Sequence, residues 1–253
     1  MDRETIINKL KKTLEPLPFI YAFWLEGADA VGRVDEYSDL DFWVDCDDAY
    51  EDAATNAVEN ALSELAYIDY KYIIRHSHPK IRHRVYHLAG TSEYLMIDFC
   101  WQMHSRAKDE SAFYENDNIE AVKVIFDKDN IIRYKPFNAA DLYKQNTQQL
   151  EEAVYRRSQH MRVIKYVHRN QYLEAYAYYN KYALEPLIDI LRIIYTPAHA
   201  GYYLIHISHH IPQIKKEKLE YFAQICSIQD IALKLPQAAK WFDELMGVLE
   251  EKC

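Results

Sequence analysis

Two carboxylates, Asp39 and Asp41, stand at alternate positions where an apolar run begins with Leu40, Phe42, Trp43 and Val44. Side chains in a strand alternate between faces, so positions i and i+2 point the same way, roughly 6.5–7 Å apart. Charge inside an otherwise apolar strand is costly unless it is paired or bound to metal. Two carboxylates at this spacing can share divalent cations. Two such ions, about 3.5–4 Å apart, clamp the attacking and leaving oxygens of a phosphoryl or nucleotidyl transfer. The plainer alternative is that Ser38-Asp39 is turn chemistry.

The residues before and after this pair extend the same reading. Phe19 to Leu25 is rich in strand formers and runs into Gly27-Ala28, where successive backbone N–H groups can form an anion-binding nest and a small residue lets a phosphate approach. Arg33 in the following loop is either a phosphate contact or a solvated arginine. Asp98 lies inside Leu-Met-Ile-Asp-Phe-Cys-Trp, where an unpaired acid would bear a desolvation cost of several kcal/mol. If its strand lies beside the one with Asp39 and Asp41, three carboxylates meet at a hard, oxygen-liganded site of the kind Mg²⁺ takes. The competing reading is a salt bridge from Asp98 to Arg82 or Arg84.

Periodicity organises the rest of the chain. Thr5 to Leu14 has helical apolar spacing, stopped by Pro16 and Pro18. Asp39 to Val44 reads as a strand, Ala49 to Leu65 as a helix crossing the sheet, and Tyr67 to Arg75, Arg82 to Leu88, Tyr94 to Trp101 and Val122 to Phe126 as further strands. After about Phe137 the pattern turns helical: Leu142 to about Asn170, Tyr172 to about Tyr195, Tyr202 to His209, and two helices after Pro212 and Ser227, with Pro197, Pro212 and Pro236 expected at helix ends. The expected fold class is α/β (α+β), a mixed sheet with flanking helices followed by a helical bundle.

Gly27 to Asp41, with Asp98 on a later strand, resembles the polymerase-beta-like nucleotidyltransferase superfamily, whose pattern is Gly-Ser, a loop, Asp-x-Asp and a third Asp on a separate strand. The two-part layout is similar to the small bacterial nucleotidyltransferases that include the aminoglycoside and lincosamide adenylyltransferases. The resemblance covers about 100 residues specifically; it is weaker for the segment from Pro186 through Pro197 to Pro212. It implies a catalytic domain over 1–137 and a helical acceptor-binding bundle over 138–253. The implied reaction is Mg²⁺-dependent transfer of a nucleoside monophosphate, AMP from ATP, to a hydroxyl of a small molecule such as an antibiotic, with release of pyrophosphate.

On that resemblance Asp39, Asp41 and Asp98 hold two Mg²⁺ ions, Asp98 also takes the acceptor's proton, Gly27 and Ala28 cradle phosphate through the main chain, and Ser38 binds phosphate or orients Asp39. One departure stands out: Ala28 replaces the family's serine, so a hydroxyl contact to phosphate must be supplied otherwise. The same fold also serves protein-directed AMP transfer in antitoxin-like or regulatory modules, or catalytically silent nucleotide binding. Helical partners of such modules carry an Arg-x4–6-His ribonuclease motif, and Arg162 to His168 matches that spacing by count.

Composition limits the partners. A net charge of −9 with pI near 5.7 argues against a broad nucleic-acid surface, and no apolar run reaches the roughly 18–20 residues of a membrane span. The amino terminus lacks a secretory apolar region, so a cytoplasmic monomer or homodimer is expected. Cys46, Cys100, Cys226 and Cys253 have no metal or redox spacing and read as reduced structural thiols. Several other groups stay open. His206 and His210, with His209 between them, suit either a zinc site or a helix end. His76, His78, His83 and His87 among Arg75, Lys80, Arg82 and Arg84 suit either a triphosphate patch or a solvated hairpin. Glu151, Glu152, Glu174, Glu185 and Asp189 could meet a cationic acceptor or be solvated, Glu174 and Glu185 are alternative bases, and the many tyrosines stack on substrate or pack in the core.

Overall fold

Asp2 opens the first helix by accepting from the Thr5 amide at 2.8 Å, and α1 (Arg3–Leu14) then buries Ile6, Ile7, Leu10 and Leu14 on one stripe. The stripe packs on a sheet. In the computed structural model, which describes residues 1–252, the chain divides into two compact units, residues 1–137 and a unit starting at Asn138.

The first unit is built on β1 (Ile20–Leu25), α2 (Gly27–Val31), β2 (Leu40–Cys46), α3 (Glu51–Leu65), β3 (Ile68–Ile74), β4 (Ile81–Leu88), β5 (Ile97–Met103), β6 (Phe113–Tyr114), β7 (Lys123–Asp127) and β8 (Tyr134–Lys135). Six strands form one mixed sheet in the order β3-β4-β5-β2-β1-β7, while β6 and β8 pair separately. β2 and β5 run parallel, and every other neighbour in the large sheet is antiparallel.

The two-residue alternation sorts side chains between the sheet's faces. Phe23, Phe42, Phe99 and Trp101 lie on one face with the buried stripes of α1 and α3, their rings at centroid distances of 4.4–6.4 Å. The opposite face carries Trp24 stacked on Trp43 at 5.9 Å beside Ala22 and Ile131, and the polar positions of β2 and β5. The six strands of the large sheet fall at the expected segments, whereas the β6–β8 pair was not expected, and one shift matters: β2 starts at Leu40, so Asp39 precedes the strand and is exposed.

The second unit contains α4 (Ala139–Gln145), α5 (Thr147–Ser158), α6 (Met161–His168), α7 (Tyr172–Tyr179), α8 (Glu185–Tyr195), α9 (Ile207–His210), α10 (Gln213–Ala223) and α11 (Ile228–Glu250). α8 is its axis, buried at every position from Pro186 to Ile194. The helix expected over Leu142 to Asn170 is three helices, interrupted at Asn146, whose amide donates to the Pro197 carbonyl at 2.7 Å, and at Gln159-His160. Pro236 lies within α11 rather than at an end; it and Ala232, whose carbonyl loses its usual donor, are both exposed, so the break falls on the outer side. Among the described residues no helix is long and apolar enough to cross a membrane.

The segment expected to be helical over Tyr202 to His209 is instead bent twice, with positive φ at Tyr203 and His206. The cause is Arg192. Its fully buried guanidinium takes the carbonyls of Tyr203, at 2.7 Å, and Ile205, and donates to His210 Nδ1 at 2.9 Å. Those carbonyls are unavailable to a helix ladder. Arg192→Leu is expected to destabilise this unit by about 2–4 kcal/mol, since the bend loses the buried guanidinium that ties two of its carbonyls to α8. Urea unfolding followed by fluorescence of the buried Trp241 checks this, and an unchanged midpoint would contradict it.

Candidate active site

The parallel register of β2 on β5 sets Asp41 opposite Asp98, and Val85 of β4 sits opposite Asp98 on the other side. One step along, Trp43, Cys100 and His83 form the next row. Asp98 and Cys100 are i and i+2 and share a face, so His83, Asp98 and Cys100 gather with ligand atoms within 4.8 Å of one another. Asp39 and Asp41 are outside that tight group. They are near enough to act electrostatically: burial first, then the charges of Asp39, Asp98 and Asp29, lift the Asp41 carboxyl to about 7. Burial likewise raises Asp98, opposed by His83 and reinforced by Asp39.

Asp98 pairs with neither arginine. Its partner is His83, through Nε2 to Oδ1, because alternation along β4 sends His83 to the carboxylate face and Arg82 and Arg84 to the α3 face. There Arg82 meets Glu51 and Arg84 meets Glu59, each at 2.7 Å. Lys80 is likewise taken by Asp48 at 2.7 Å, His87 by Asp69 at 2.6 Å and His78 by Glu110 at 3.1 Å. The suggested triphosphate patch is therefore largely an array of ion pairs.

Gly27 has φ +56° and no room for a side chain: a Cβ there would stand 1.9 Å from Asp41 Oδ2. The glycine makes space for the carboxylate as well as opening α2, whose first amides have no intrahelical acceptor. Ala28 lies in that short helix, and its carbonyl receives the Arg33 amide at 3.0 Å, while the Arg33 side chain is exposed. Ser38 is not oriented on Asp39. Its hydroxyl donates to Asp35 at 2.8 Å and accepts the Asp35 amide at 2.9 Å, which is turn chemistry.

Three further groups complete the site. Arg3, at the start of α1, ion-pairs Asp29 and donates to the carbonyls of Ser38 and Asp39, both at 2.6 Å, which holds the loop ahead of β2. Glu26 precedes Gly27, receives the Trp24 indole N–H at 2.9 Å, and is lifted to about 7 by burial, its hydrogen bond from Trp24 opposing. Asp45, four residues beyond Asp41, is buried under Gln102 at 2.8 Å and His104 at 2.7 Å, and burial raises its carboxyl. Cys100 was legible as the i+2 neighbour of Asp98; Arg3 left no local signal, being 36 positions from Asp39. Cys46, Cys100 and Cys226 are free thiols, and Cys253 lies outside the described residues.

The helical candidates separate as well. Glu185 and Asp189 are both taken by Arg156, at 3.0 and 2.7 Å, whereas Glu151, Glu152 and Glu174 are exposed. His210 Nδ1 is engaged by Arg192, which removes it from a zinc pair with His206 through that atom. Arg162 and His168 lie about 240° apart around α6 and do not share a face. Tyr166, Tyr178 and Tyr182 stack on one another at 5.1 and 5.5 Å.

No protein-family model matches the chain, and no curated protein matches it. Among solved structures it is similar to an aminoglycoside 6-adenyltransferase from Bacillus subtilis, at 12% identity over 98% of this chain and 92% of that one, with a TM-score of 0.35. It is similar to the spectinomycin adenyltransferase AAD(9) from Enterococcus faecialis, solved with ATP and spectinomycin, at 12% identity over 97% of this chain and 100% of that one, TM-score 0.35. A third likeness is to JHP933 from Helicobacter pylori, 13% identical over 98% and 94%, TM-score 0.29.

The raised Asp41 carboxyl means that the folded chain holds this proton more tightly than the unfolded chain, so stability falls as pH rises from the ordinary carboxylate range through about 7. Asp41→Asn is expected to raise the thermal midpoint of the metal-free protein at about pH 8 by several degrees, with the gain gone by about pH 4. Scanning calorimetry at both pH values decides it. Gly27→Ala should do the reverse at any pH, lowering the midpoint, because the methyl group displaces Asp41.

Proposed function

We propose that the chain is a metal-dependent nucleotidyltransferase of the polymerase-beta-like type that moves a nucleoside monophosphate, AMP from ATP, to a hydroxyl of a small molecule. The observation that carries this reading is the register pair Asp41–Asp98 on parallel strands, with Asp39 coupled to it and Gly27 leaving space beside Asp41. Carboxylates that raise one another's affinity for protons form a site short of positive charge, and their hard oxygen donors fit Mg²⁺. Asp39, Asp41 and Asp98 would hold it. When bound, the ion neutralises the triphosphate and stabilises charge growing on the transferred phosphoryl group.

The remaining chemistry belongs to the chain's own side chains. Asp98, made more basic by burial, is suited to take the proton of the acceptor hydroxyl, and His83 on its Oδ1 orients the carboxylate. Gly27 and Ala28 present main-chain N–H groups at the head of α2, a contact that stands in for the missing serine hydroxyl. Arg3 positions Asp39 through the backbone rather than by touching substrate. We assign catalysis to residues 1–137 and choice of acceptor to residues 138–253.

Pyrophosphate release from each nucleoside triphosphate with Mg²⁺, against aminoglycosides, lincosamides and simple hydroxyl compounds, tests the proposal. Release should require one acceptor and fall at least about 10²-fold in Asp41→Asn and Asp98→Asn, with folding retained. His83→Gln should cost less, about tenfold. Wild-type turnover in Asp41→Asn would remove the carboxylate site from the mechanism.

A further inference from the structure

Two irregular stretches of helix border adjoining hollows in the second unit. α11 carries Pro236 within its length, and α7 passes into α8 through a π-helical turn, Asn180–Leu184. Proline removes a helix hydrogen bond, a π-turn widens the coil, and π-turns collect at functional sites. Here Pro236 walls a cavity of about 650 Å³, and Tyr182 and Ala183 of the π-turn wall a recess of about 10 Å³. Arg157, His160, Leu235 and Ala239 line both. The larger volume is of the size that encloses a small organic ligand; the recess admits one water-sized group.

The chemistry of the walls is divided. Ile164, Val167, Leu235 and Ala239 supply an apolar floor, and His168 and Lys240 stand at an exposed rim. Asp243 is already held by Arg157 Nη2 at 3.0 and 3.2 Å, which leaves the lining cationic. Arg157 Nε and His160 Nδ1 are buried without a hydrogen-bond partner. The Arg157 Nε–H is a donor in every state, and a buried donor in that condition is costly and calls for an acceptor.

We propose that this cavity binds a small amphipathic anion, a carboxylate with an apolar tail. Its oxygens meet Arg157 and His160, Lys240 adds charge at the rim, and the tail lies on Ile164, Val167, Leu235 and Ala239. Asp243, the one acid among the described lining residues, is already paired and offers little to a cationic ligand. The proposal is independent of the transferase reading, because every residue in it belongs to the helical unit and its test needs no turnover.

Calorimetric titration of the full chain with decanoate, decanol and decylamine, each kept below its aggregation limit, is the experiment. Decanoate should bind one per chain and saturate, with the alcohol and the amine at least about tenfold weaker. Ala239→Trp should abolish binding by filling the cavity. Lys240→Glu, at an exposed position where folding is not at stake, should weaken decanoate and strengthen decylamine. Equal affinity for amine and carboxylate, decanoate binding indifferent to Lys240→Glu, or a chain that ignores all three ligands but dimerises through this face, would each overturn the proposal.

Discussion

The in-register parallel pairing of β2 with β5 is the constraint on which the rest of the first unit depends. It sets two carboxylates side by side, an arrangement that electrostatics alone opposes. Charges about 5 Å apart at an effective dielectric of 20 repel by roughly 3 kcal/mol. The same pairing buries Phe42, Phe99 and Trp101 on the other face, each contributing on the order of 1.5–3 kcal/mol. The apolar face outweighs the polar one, so the carboxylates are held together by packing they do not take part in.

Countercharge then decides how the acids are distributed. Arg3 neutralises Asp29 and fixes the backbone of Ser38 and Asp39, which keeps Asp39 off the strand and in the open, while His83 serves Asp98. Among the described residues Asp41 forms no ion pair, and burial with its acidic neighbours lifts its carboxyl to about 7.

The helical unit solves a different problem. α8 is buried all round yet contains Asp189 and Arg192. Asp189 meets Arg156 and Gln149, and Arg192 meets main-chain carbonyls and His210, so neither charge is left uncompensated. Both were ambiguous as isolated letters. Asp189, which suited either a cationic acceptor or solvent, is half of an internal ion pair, and His210, which suited either a zinc site or a helix end, is one of several partners of Arg192.

Alternation and helical spacing, read from the sequence alone, determined the strands, the change to helices after Phe137, and the presence of acids at 41 and 98 with no local neutralising residue. These are properties of one segment at a time, because the 2.0 and 3.6 periods are local. Only the tertiary structure decided that Asp98 answers to His83 rather than to an arginine, that Ser38 belongs to a turn, that Arg3 governs Asp39, and that Pro236 is carried inside a helix. The histidine and Arg3 contacts rest on register or on contact between distant segments. A one-residue slip would send His83 to the helix side and an arginine to the acids. The residues are the same in either case; which of them meet is settled by the packing of the strands.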